Sequence, residues 1–181
     1  MPGILRDLPF GPNPHATPLP VPGGRTIPYR QDRIIVWVSV AGIDTASLPP
    51  DSPRFPAVLD TGFNNVFLVS ALQLVRWGPP GIHAVVFRNG SALSYAGTRL
   101  ELFDASVWVH PNVPGRIEPD PGEQPFQLSL PNGIAVAPPG TPAERELPLI
   151  GLMAIRFSDL RIEIDGARER VAIIAPDRER S

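Results

Sequence analysis

Apolar residues along this chain fall in short runs, some continuous and some alternating, broken by proline, glycine and asparagine before any helical stripe can build up. That spacing predicts strands. Residues 33–40 (RIIVWVSV) read as a strong strand. Residues 44–56 form a proline-rich connection to a second strand ending at Leu59. Residues 66–69 read as the returning strand and 70–76 as a short helix halted by Gly78, Pro79 and Pro80. Residues 84–87 lead into Asn89-Gly90, the favoured chemistry of a tight hairpin turn, and a longer alternating run follows over 98–109. Residues 127–130 and 133–136 read as a hairpin around Pro131-Asn132. Residues 147–150 form a strand, 152–158 a second short helix, 160–164 a strand, and Asp165-Gly166 a turn into a last strand over 170–174. The fold class is therefore mainly β, with one or two short helices.

Composition narrows the picture. With 25 prolines and 16 glycines in 181 residues, long helices are excluded. Residues 1–29 hold many of the prolines and little periodicity, so they read as an arm or linker, followed by one domain over 30–175 and a tail over 176–181. A net charge of -2 offers no field for nucleic acid or an anionic membrane surface. No apolar run approaches a bilayer span, and the N-terminus lacks the basic start and apolar stretch of a secretory signal, so a cytoplasmic location is expected. The chain has no cysteine, which excludes disulfides, thiolate nucleophiles and cysteine metal sites. Its basic residues are all arginine, which excludes Schiff-base chemistry and a phosphate-loop lysine.

The candidate chemistry sits at 57–62, where Ala57-Val58-Leu59 leads into Asp60-Thr61-Gly62. This stretch resembles the active-site loop of aspartic peptidases. Residues 148–152 (PLIGL) are similar to that family's second signature, in which two apolar residues and a glycine, Leu149, Ile150 and Gly151, pass beside the catalytic loop and lead into a short helix. Asp60-Thr61-Gly62-Phe63-Asn64-Asn65-Val66-Phe67 follows the pepsin-like form of the motif, except that Phe63 stands where alanine or serine is usual. Gly151 is followed by leucine and not by the arginine of retroviral enzymes.

The resemblance covers residues 30–175 and implies one closed, barrel-like lobe of a retropepsin-like aspartic endopeptidase. One Asp-Thr-Gly per chain implies a homodimer, in which two Asp60 carboxylates share a proton and activate water against a peptide bond without a covalent intermediate. Thr61 would lock the two loops by its hydroxyl, and Gly62 would let backbones approach closely. Substrate contacts are expected from Phe63, Leu149, Ile150 and Gly151. The hairpin at Phe87, Asn89 and Gly90 would act as a flap, and Phe63 would narrow the cleft or shift the loop. A peptide or protein substrate, with no metal and no cofactor, completes the expectation. The alternatives are a noncatalytic peptide- or protein-binding module on the same fold, or an accidental turn in an unrelated β protein. Asp44-Thr45-Ala46 is a poor second motif, lacking the glycine. His15, His83 and His110 have no ligand spacing. Trp37, Trp77 and Trp108 are expected in the core or an interface.

Overall fold

Ile34–Ala41 is apolar at every position but Ser39, and a strand of that kind must be covered on both faces. All of it except Ile34 is buried. The computed structural model describes residues 3–10, 18–28, 33–43, 45–78 and 86–176, with the backbone alone for 86–91. In chain order the elements are β1 (Gly3–Pro9), β2 (Leu19–Val21), β3 (Arg25–Ile27), β4 (Ile34–Ala41), β5 (Phe55–Asp60), β6 (Phe67–Ser70), α1 (Ala71–Trp77) and β7 (Val86–Tyr95). They continue with β8 (Thr98–Asp104), β9 (Ser106–His110), β10 (Phe126–Gln127), β11 (Ile134–Ala137), a 3-10 turn (Pro142–Arg145), β12 (Leu149–Gly151), α2 (Leu152–Phe157), β13 (Arg161–Asp165) and β14 (Arg170–Ile174).

Among the described residues, nine strands form one sheet in the order β10-β9-β4-β5-β12-β6-β11-β8-β7, three form a second sheet, β1-β14-β13, and β2 pairs with β3. The large sheet ends at β10 and β7 and does not return on itself, so the expected closed barrel is not formed. One face of it carries Val36, Val38, Phe55, Ala57, Leu59 and Ile150, which pack against the small sheet through Ile4, Leu5, Leu8 and Ile173 and against α2 through Ala154 and Ile155. The other face carries Ile35, Trp37, Val58, Leu68 and Leu149. Side chains alternate along a strand, so Asp60, two residues after Val58, leaves the sheet on this second face.

Several expectations are corrected by pairing between distant segments. The first 29 residues are not a free arm: β1 pairs antiparallel with β14 and buries Ile4, Leu5 and Leu8, while Leu19 and Val21 are also buried. The domain start expected at Arg30 lies outside the described residues. Asn89-Gly90 is not the hairpin turn. It lies inside β7, where the register with β8 shifts between Phe87 and Ala92, and the turn falls at Ala96-Gly97 with φ of 48° and 77°. The run over 98–109 is two strands that part at Ala105, β8 joining β7 and β11 while β9 joins β4 and β10. Residues 127–130 and 133–136 are not partners of each other either: β10 pairs with β9, and β11 pairs with β6 and β8. Gly133, at φ +70°, is required there because a Cβ would stand 2.2 Å from the Phe103 carbonyl oxygen.

Trp37, Trp77 and Trp108 are buried as expected. His110 is buried too. Ser39 Oγ donates to the Pro53 carbonyl at 2.8 Å, which uses its only proton, so His110 Nε2 is the donor in the 2.9 Å contact with Ser39 Oγ. Burial, with a smaller push from the Arg54 charge, lowers His110 to about 4. The folded state thus binds this proton less readily than the unfolded chain, whose histidine titrates at 6.5. The stabilisation is complete above that value and is lost as pH falls through the window toward 4, by on the order of 3 kcal/mol. Urea midpoints at neutral and acid pH should show that drop, and His110→Phe should flatten it; a parent as stable in acid as at neutrality would contradict the assignment.

Candidate active site

β5 is held between β4 and β12, and the parallel register places Gly151 opposite Asp60. The carboxylate therefore projects from the end of a buried strand while remaining half-buried itself. Its Oδ1 accepts the Gly62 N–H at 2.9 Å, and the Phe63 N–H donates to the Asp60 carbonyl at 3.1 Å, closing a tight turn. One oxygen is thereby oriented and the other has no hydrogen-bond partner among the described residues.

The loop is fastened from beneath. Gly151 N–H donates to Val66 O at 2.9 Å, Leu152 N–H to Phe63 O at 3.0 Å and Met153 N–H to Asn65 O at 3.3 Å. These bonds draw the loop carbonyls onto residue 151 so closely that a Cβ there would lie 2.1 Å from Asn65 O and 2.3 Å from Phe63 O. Glycine is the only residue that fits. The two sequence signatures are thus one structural unit, the apolar-apolar-glycine strand being the seat of the Asp-Thr-Gly loop.

No protein-family model matches the chain, and no curated protein matches it. The reading of the site accordingly rests on its own geometry.

Thr61 and Gly62 are exposed, and Thr61 makes no hydrogen bond among the described residues. A Cβ at Gly62 would meet only Asp60 Oδ1, at 3.3 Å. Among the described residues, nothing covers the outer side of this loop. Phe63 behaves differently from expectation. Its ring is 2% exposed, belongs to the second core cluster and meets Tyr95 edge-on with centroids 5.3 Å apart, so it supports the loop from inside and does not wall a cleft.

Leu149 and Ile150 are also core residues, on opposite faces of β12. Leu149 additionally lines a cavity of about 160 Å³ together with Leu68, Leu147, Tyr95 and Ala96. That cavity brings the tip of the β7–β8 hairpin to the face from which Asp60 projects. The side chains of Phe87 and Asn89 lie outside the described residues, as do the surroundings of Gly90, and among the described residues of the hairpin Tyr95 reaches the loop. Its signal in the sequence is the two-residue turn Ala96-Gly97 between alternating strands, masked by the stronger turn signal of Asn89-Gly90.

Asp44 of the poorer motif and the histidines at 15 and 83 lie outside the described residues. Among the described residues no group of three or more histidine, aspartate or glutamate side chains is placed to hold a metal, and no helix is long and apolar enough to cross a membrane.

Proposed function

We propose that the chain is one half of an aspartic endopeptidase of the retropepsin-like kind, completed by a second copy of itself. The observation that carries this reading is the oriented Asp60 carboxylate on a loop seated on Gly151, with Thr61 and Gly62 on the outer side of that loop exposed. One carboxylate cannot both activate water and polarise the carbonyl it attacks, so the chemistry needs a second, supplied by two-fold symmetry. One Asp60 then takes a proton from water while the other, protonated, hydrogen-bonds the peptide carbonyl; the hydrated carbon collapses as the amine leaves with a proton. The β7–β8 hairpin excludes solvent over the peptide, with Tyr95 and Ala96 at its tip.

The terminal sheet refines where a partner would dock. β14 is flanked by β1 and β13 of its own chain, so it has no free edge for a partner's strand. β13 has one, and it is largely exposed, with Ile164 53% accessible. A second copy is therefore expected at the Asp60 loop, and any strand it adds to the terminal sheet is expected at β13. Sedimentation equilibrium tests this directly. A dimer whose population rises when a statine-type peptide is added supports the reading; a strict monomer under all conditions in which peptide is cleaved would remove it.

A further inference from the structure

Beyond the Asp60 loop, a second concavity of about 510 Å³ opens where the β2–β3 hairpin, the last turn of α1 and the 3-10 turn converge. Its apolar wall is Val21, Ile27 and Trp77, and its rim carries an arginine from each element, Arg25, Arg76 and Arg145. All three are exposed, and none has an ion pair or hydrogen bond among the described residues. The acidic groups on the same rim are Glu144 and Glu146. Glu146 is already engaged, its carboxylate 3.8 Å from the Arg33 guanidinium. Three guanidinium groups are thus opposed by one carboxylate without a partner, an excess of positive charge on a protein whose net charge is -2.

The groove adjoins the smaller cavity beneath the hairpin tip, and Gln73 and Glu146 border both. Gln73 is fixed as the shared wall: its Oε1 accepts the Ser70 N–H at 2.9 Å and its Nε2 donates to the Glu146 carbonyl at 2.5 Å. An occupant that spans the two spaces meets an apolar pocket at one end and unpaired forks at the other, and planar guanidinium forks match carboxylates.

We propose that an extended peptide lies across these two adjoining spaces, with an apolar side chain in the Leu147–Leu149–Tyr95 pocket and acidic residues further along against Arg25, Arg76 and Arg145. The inference concerns binding and goes beyond the peptidase reading, since Asp60 lines neither space. The test is equilibrium binding to the full-length Asp60→Asn protein, which cannot turn the probe over, so a failed peptidase reading leaves the measurement valid. The probe is a short fluorescent peptide with a central leucine and a pair of glutamates at each end, compared with its glutamine counterpart by anisotropy.

The glutamate peptide should bind roughly tenfold or more tightly at low salt, since three exposed ion pairs multiply their small individual effects, and the advantage should shrink as salt is added. Arg25→Gln, Arg76→Gln and Arg145→Gln should each lose about two- to fivefold of that preference. Glu144→Gln should increase it. Equal affinity for the two peptides, or a glutamate preference that survives the triple arginine replacement, would overturn the proposal.

Discussion

Asp60→Asn is expected to abolish peptide cleavage, a loss of about a thousandfold or more, while the fold and self-association are kept. The asymmetry follows from the contacts. Asp60 is half-buried, and its one side-chain polar contact among the described residues is the Gly62 N–H on Oδ1, which an amide oxygen accepts equally well. Nothing in the loop needs the charge, whereas the chemistry needs a group that can take a proton from water. Mass-spectrometric cleavage of a peptide library, run beside thermal unfolding, reads both sides of the prediction. Mixing adds a sharper arm. If the active unit takes one carboxylate from each copy, titrating inactive chains into parent protein must depress activity more steeply than simple dilution, because mixed dimers form at the expense of active ones. Cleavage that falls only by dilution would mean that each chain works alone.

The largest stability effect should come from Gly151→Ala. The added Cβ would be driven into two carbonyl oxygens, Asn65 O at 2.1 Å and Phe63 O at 2.3 Å, and into the Phe63 ring at 2.7 Å. None of these is the free end of a flexible side chain: the carbonyls are held by the N–H groups of Leu152 and Met153, and the ring is locked between the core and Tyr95. The loop must lift. The cost should be about 3 kcal/mol or more, lowering the melting temperature by roughly 10 °C, and peptide cleavage should be lost with it because Asp60 moves. Gly62→Ala is the matched control, since its Cβ meets only Asp60 Oδ1 at 3.3 Å within the chain. It should fold almost normally. A Gly151→Ala protein as stable as the parent would break the structural link drawn between the two signatures.

Some of this was readable from residue order alone. The strands β4, β5, β6, β12 and β14 and both helices follow from local apolar runs and their punctuation, and α1 even carries a capping box in which Ser70 and Gln73 satisfy each other's end groups. The pairing of Asp-Thr-Gly with apolar-apolar-glycine was legible because each residue type answers a local requirement: a carboxylate at a strand end, and no side chain where backbones meet. Tertiary structure decided the rest. β1 is a strand because β14 offers it an edge and the core accepts Ile4, Leu5 and Leu8, a preference that a proline-rich neighbourhood conceals. Asn89-Gly90 yielded the turn to Ala96-Gly97 because β8 fixes the hairpin register across four consecutive residue pairs, from Ala92 to Tyr95. Phe63, out of place in the motif, is explained only by the buried space beside Tyr95 that it fills. Local sequence specifies which segments extend and which groups could react; which segments become neighbours depends on non-local burial, and burial is shared among residues too far apart in the chain to leave a pattern in it.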